Sequence, residues 1–174
     1  HAAHDNAQTE WWHFHAHTAD DRGRRYDVFL GFVKQHTDLD RVAGIPVRWF
    51  VDPFQLAYYT LTDRATGEFH VAERHAFPDT WAASASTGRL SLRHDSWYAW
   101  DTGDGSIAIS ARSRTTRVEL ELRAVKPAAL LGDHGYLDVP PRSSHYYYSF
   151  PRMVTDGTIT IDGESVRAIV VGQA

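Results

Sequence analysis

The sequence predicts an all-β domain, an antiparallel barrel of about ten short strands. Three observations carry this. No long window repeats apolar residues at the helical period with caps at its ends. Apolar and polar residues alternate in short runs bounded by turn residues. The connections are mostly of hairpin length and rich in Asp and Gly. With 174 residues the chain can bury one real core and has little room for two.

The first strand spans roughly Thr9–Thr18 and the second roughly Arg25–His36, joined by Asp20-Asp21-Arg22-Gly23. Glycine closes such a turn because it accepts a positive φ without a Cβ clash. Residues 37–53 hold Gly44, Pro46 and Pro53 and read as an irregular flap. Strands follow at Phe54–Thr62 and Glu68–Phe77, linked through Asp63–Gly67, then at Arg89–His94, Trp97–Asp101, Ser106–Arg112 and Thr116–Ala124. Thr116–Arg123 alternates most cleanly: Val118, Leu120 and Leu122 point in, while Arg117, Glu119, Glu121 and Arg123 point out. A loop with Pro127, Gly132, Gly135, Pro140 and Pro141 precedes a strand at His145–Val154. The last hairpin joins Gly157–Ile161 to Ser165–Val171 through Asp162-Gly163.

Composition narrows the function. Cysteine is absent, which excludes disulfides, iron–sulfur clusters and thiol nucleophiles. The net charge of −4 is interspersed, with no basic stripe for nucleic acid, and no apolar run is long enough for a transmembrane helix. Six Trp, eight Tyr and eight Phe suit both strands and a pocket for an apolar ligand. Trp11–His17 and Tyr26–Val33 are bulky on both faces, so each is expected to face the barrel lumen on one side and, on the other, a neighbouring element that a second domain would supply. The chain opens without Met and closes on Val170-Val171-Gly172-Gln173-Ala174, which reads as a strand in mid-course. The expectation is the N-terminal barrel, residues 1–174, of a longer chain. A leader segment is then not readable, and the compartment stays open with the cytoplasm favoured.

Three stretches could carry chemistry. In Glu10–His17, Trp11, His13, His15 and His17 share one strand face, and Glu10, Trp12, Phe14 and Ala16 the other. Two histidines at i and i+2 could share a metal ion, but the three span about 13 Å, too far for one ion; the row reads better as a polar face on a cavity or interface, with no metal site. In Ser144–Arg152, Tyr146 and Tyr148 share a face and combine an apolar wall with a hydroxyl donor. Arg152 needs a carboxylate, and Glu10 is available. In Ser96–Asp101, Trp97, Ala99 and Asp101 share one face and Tyr98 and Trp100 the other; Asp101 reads as the start of a turn. No nucleophile elbow, phosphate loop or dinucleotide fingerprint is present.

Thr9-Glu10-Trp11-Trp12-His13-Phe14-His15-Ala16-His17, followed by Asp21-Arg22-Gly23-Arg24-Arg25-Tyr26, resembles the opening of the AttH-like family, the lipocalin-like proteins grouped with carotenoid 1,2-hydratase (hydroxyneurosporene synthase). Tyr146-Tyr147-Tyr148-Ser149-Phe150-Pro151-Arg152 and the hairpin through Gly163 resemble that family's Tyr-Tyr-Ser-x-Pro-Arg segment, and the loop from Lys126-Pro127 to Gly135-Tyr136 is also similar. The resemblance implies two lipocalin-like barrels in tandem, of which this is the first. It also implies chemistry without metal or other cofactor: hydration of isolated terpenoid or prenyl double bonds, or Diels–Alder cyclisation of polyketide-derived polyenes. His13 and His15 depart from it, standing where an aromatic or small polar residue is expected.

The expected function is therefore a cofactor-free enzyme on an apolar unsaturated metabolite, working by acid-catalysed hydration or by cyclisation. Glu10 is the candidate acid, and His13, Tyr146 and Tyr148 are candidate donors. Trp11, Trp12, His15, Tyr58, Trp97, Trp100 and Arg152 are candidate substrate contacts. The alternatives are a non-catalytic lipocalin-like carrier, with the same cavity and no acid, and a metal enzyme built on the histidine row.

Overall fold

Alternation along the chain becomes seventeen strands in the computed structural model, which describes residues 2–4, 7–37, 40–46, 53–76, 82–139 and 143–170. They are β1 (Thr9–Ala19), β2 (Arg25–Gln35), β3 (Arg41–Val42), β4 (Ile45–Pro46), β5 (Phe54–Asp63), β6 (Phe69–Ala76), β7 (Ala83–Ala85), β8 (Ser91–His94), β9 (Trp97–Asp101), β10 (Ser106–Arg112), β11 (Thr116–Ala124), β12 (Ala129–Leu130), β13 (Tyr136–Val139), β14 (Ser143–Tyr146), β15 (Tyr148–Ser149), β16 (Met153–Ile161) and β17 (Glu164–Val170). Eleven form one antiparallel sheet in the order β6-β5-β2-β1-β17-β16-β11-β10-β9-β8-β7. The sheet curls into a nearly closed, lipocalin-like barrel, and no helix is present among the described residues.

Short polar side chains fix the turns. Asp20 accepts hydrogen bonds from the Arg22 and Arg24 amides and pairs with the Arg24 guanidinium at 2.6 Å. Burial works to raise the Asp20 pKa, but these Arg24 and Arg22 contacts outweigh it and hold the carboxyl below its ordinary value. Asp63 accepts from the Ala65 amide, and Asp101 accepts from the Gly103 amide, which is the turn role expected of it. Asp162 and Gly163, at φ 49° and 86°, make the two-residue turn that matches strand twist.

The structure departs from the sequence expectation in several places. The strand expected at 145–154 breaks into β14, β15 and the start of β16: the Tyr147 backbone bonds instead to Gly135 and Leu131, and Pro151, between β15 and β16, has no N–H to give a ladder. Gly157 does not begin a strand; it sits in the middle of β16. A Cβ there would collide with the Glu119 carbonyl oxygen of β11, so glycine permits the close approach of two backbones. The flap contains the β3–β4 hairpin, and its residues 47–52 lie outside the described residues, as do the expected strand ends Phe77 and Val171. β7, β12 and β13 are too short for periodicity to signal.

Inward-facing residues fill the middle of the barrel. Trp97, Tyr26, Tyr59, Leu30, Leu61, Ile109, Val118 and Ile159 are all fully buried. The Trp97 indole donates to the Arg112 carbonyl at 2.9 Å and meets Tyr59 edge-on. Tyr59 donates to Thr116 Oγ1 at 3.1 Å, and burial pushes its phenol up to about 12. Trp97, named among the candidate substrate contacts, is at this level a core side chain, buried against residues of other strands. Each large ring found another strand's residues to fill the space against.

β6 and β7 are the sheet's edges, and side chains bridge the gap between them. Arg74 of β6 pairs with Asp95 at 2.7 Å and lies 4.8 Å over the Trp97 ring. His94, 3% exposed, stands 3.5 Å from the Gln55 carbonyl. Burial holds its pKa below 6.5; Arg74 and His75 push the same way, and Gln55 and Asp95 oppose. His13 and His15 are lowered too, chiefly by burial. Protonation of such groups is easier in the unfolded chain. Stability is therefore expected to be full above about pH 6.5 and to decline as pH falls through the lower folded-state values. Urea midpoints between neutral and mildly acidic pH test this, and His94→Gln should flatten the dependence; a His94→Gln protein with the wild-type slope would contradict it.

Candidate functional site

The site is built at the barrel end where β1 begins and β2 ends. The hairpin register sets Glu10 directly opposite Lys34 on the inward face. Both are nearly buried, with side chains 10% exposed. The segment before β1 crosses this end. Ala3 is anchored by its amide on the Ser86 carbonyl, and the His36 amide donates to Gln8. This brings His4 onto Glu10. The carboxylate accepts the His4 amide at 2.9 and 3.0 Å and faces the His4 Nδ1 at 2.7 Å, with Lys34 Nζ at 3.6 Å. Lys34 in turn donates to the His4 carbonyl at 3.1 Å. Every group around Glu10 suits an acceptor carboxylate.

Two phenols border the cluster. Tyr148 is half-buried, and its pKa is raised first by burial and then by the Glu10 charge. Its hydroxyl therefore holds its proton more firmly than a free phenol does. Tyr146 is exposed, and its ring stacks on the His4 imidazole at 5.6 Å and 16°. Tyr136 tilts against Tyr146 at 5.3 Å. Trp12, on the same face of β1 as Glu10, packs on the core below.

Three of the expected residues, Glu10, Tyr146 and Tyr148, thus gather around a histidine and a lysine that the sequence reading missed. Lys34 was within reach of the sequence, because an Asp20–Gly23 turn that pairs Ala19 with Arg25 also pairs Glu10 with Lys34. His4 had no signal; nothing in residues 1–8 predicts that this segment folds back. The cation on Glu10 is Lys34 and not the suggested Arg152, which is exposed where the chain leaves Pro151.

His13, His15, Trp11 and Tyr58 lie on the outer face, separated from Glu10 by the sheet itself, as a period of two requires. Tyr58 OH is 2.9 Å from His13 Nε2. Its ring lies flat over Gly31, where any Cβ would come within 2.5 Å of it. Phe29 stacks on Tyr58 and takes the edge of His15. His17 ends the row at Asp27, 2.7 Å away. No group of three or more potential metal ligands is gathered among the described residues. Trp97 is core, and Trp100 stands outside, stacked on Tyr98 at 4.1 Å.

This architecture has relatives. The AttH-like family model matches residues 1–174. A crystal structure assigned to AttH, from Nitrosomonas europaea, superposes with a TM-score of 0.82 at 20% identity, over 98% of this chain and 51% of that one. Kievitone hydratase from Nectria haematococca superposes with a TM-score of 0.67 at 13% identity, over 92% of this chain and 43% of that one. At these identities the likeness is one of fold, and this chain spans about half the length of either structure. No curated protein matches by sequence. With the family model matching from the first residue to the last, the chain belongs to the AttH-like family.

Proposed function

We propose that this barrel is half of a cofactor-free enzyme that adds water to, or cyclises, an apolar unsaturated metabolite such as a terpenoid or polyketide polyene. The observation that carries the reading is the His4–Glu10–Lys34 cluster beside the Tyr146 and Tyr148 phenols. Family membership and the hydratase named among the similar folds support a hydration-type reaction. The solved structures, about twice as long, support a second barrel in the same polypeptide.

In this reading Glu10 takes a role other than that of the acid first expected. Its oxygens are occupied by donors, so it orients the His4 ring through Nδ1, and the transferable proton belongs on Nε2. In hydration, the imidazolium gives that proton to one alkene carbon, and nearby aromatic faces steady the positive charge on the other. Water bonds to that carbon and returns its surplus proton to the imidazole, so the sum is alkene plus water. In cyclisation, the Tyr148 hydroxyl donates to an activating carbonyl and no atom is gained or lost. His13 and Tyr58 belong to the opposite face and take no part in this step. Trp11, Trp12, His15, Trp97, Trp100 and Arg152 do not form one wall around the cluster, and Trp12 is the indole on its face of β1.

A carrier would need the same apolar volume and would have no use for the proton-handling groups of the His4–Glu10–Lys34 cluster. The test is to incubate the full-length protein with prenylated phenols and linear polyenes and analyse products by mass. A gain of one water or an isomeric product is expected. Substrates recovered unchanged across the set would overturn the enzyme reading and leave the carrier.

A further inference from the structure

The barrel leaves a gap beside its edge strand β6. A groove of about 730 Å³ runs along it, lined by the six consecutive residues Phe69–Arg74 of β6, by Trp97, and by the Arg112–Thr115 turn. Consecutive residues line a groove only when it follows the strand's edge rather than one face. The ladder shows which backbone groups meet it. The Asp63 amide donates to the Glu68 carbonyl, and the β5–β6 register then makes His70, Ala72 and Arg74 the residues bonded to β5. The amides and carbonyls of Phe69, Val71 and Glu73 therefore point into the groove, and β6 pairs only with β5 among the described residues. The Phe69 and Val71 side chains beside them are 60% and 57% exposed. Proteins normally shorten, cover or charge such an edge.

The walls are basic. Arg112, Arg114 and Arg74, the last already paired with Asp95, line the groove, and Glu73 is the one carboxylate in its lining. Two inward groups there have unused hydrogen-bonding capacity. Arg74 Nε is buried without a hydrogen-bond partner, and so is His70 Nε2, which has Glu68 at 3.3 Å but not in hydrogen-bonding alignment.

We propose that this groove binds an extended polypeptide segment as an added strand on β6, with apolar side chains outward beside Phe69 and Val71 and carboxylates inward toward Arg74 and the Arg112–Thr115 turn. Only an extended backbone presents donors and acceptors at the spacing of a free strand edge. Six residues at about 3.3 Å each give a contact about 20 Å long. Arg74, pinned to Asp95 and Trp97, closes one end of the groove.

A capped synthetic peptide of alternating valine and glutamate tests this on the full-length protein. Hydrogen exchange should show saturable protection of the Phe69, Val71 and Glu73 amides. Methylating the valine nitrogens, which removes the donors aimed at β6, should weaken binding at least about tenfold. Arg114→Glu, at an exposed turn position, should weaken the glutamate peptide and strengthen its lysine counterpart. Absence of protection at millimolar peptide, or equal binding of the N-methylated peptide, would overturn the proposal. Neither result bears on the Glu10 cluster.

Discussion

Trp97→Ala is expected to cost about 3–5 kcal/mol of folding stability, the range for deleting a large buried aromatic. Trp97 is 0% exposed and holds three different parts of the barrel. Its ring edges Tyr59 of β5, its indole N–H satisfies the Arg112 carbonyl at the end of β10, and its face receives Arg74 of β6. Alanine leaves a cavity, an orphaned carbonyl and a guanidinium with no ring beneath it. Trp97→Phe restores most of the volume but not the N–H, and should recover more than half of the loss. Urea denaturation of both variants measures this. A Trp97→Ala protein within about 1 kcal/mol of wild type would mean the interior is not packed as described.

Glu10→Gln should lower kcat of the full-length protein about 10²–10³-fold with little change in KM. Glutamine keeps the shape and can still accept the His4 amide, so the substitution removes mainly the charge that orients and supports the imidazole. It also leaves Lys34, 8% exposed, without its counter-charge, so folding stability must be measured in parallel. Loss of turnover with an intact urea transition supports the positioning role. Full turnover in a folded Glu10→Gln protein would remove Glu10 from the mechanism. A structural role would lower activity only together with stability.

Much of the fold was legible because turn chemistry and strand period are local. Asp20–Gly23, Asp63–Gly67 and Asp162-Gly163 declare their turns, and Thr116–Arg123 declares its faces. What escaped depends on contacts distant in sequence. Nothing near Gly157 says that the β11 backbone will press against it, and nothing near Trp97 says whether it faces a hollow or fills one. The candidate site divides in the same way. Glu10 and the tyrosines stood out by residue type, and Lys34 follows from hairpin register. His4 depends on a segment of irregular backbone folding back across the barrel end, which no periodicity encodes. Parity along β1 already set His13 apart from Glu10, and reading that rule strictly would have kept them in separate sites.

The sharpest test of the proton-transfer account is chemical rescue of full-length His4→Gly protein. His4 is half exposed, so removing its ring opens a space that free imidazole can reach from solvent. The account predicts that His4→Gly abolishes most turnover and that added imidazole restores it in proportion to its concentration, but not when Glu10→Gln is also present. Unchanged turnover in His4→Gly, or a loss that imidazole leaves untouched, would contradict it.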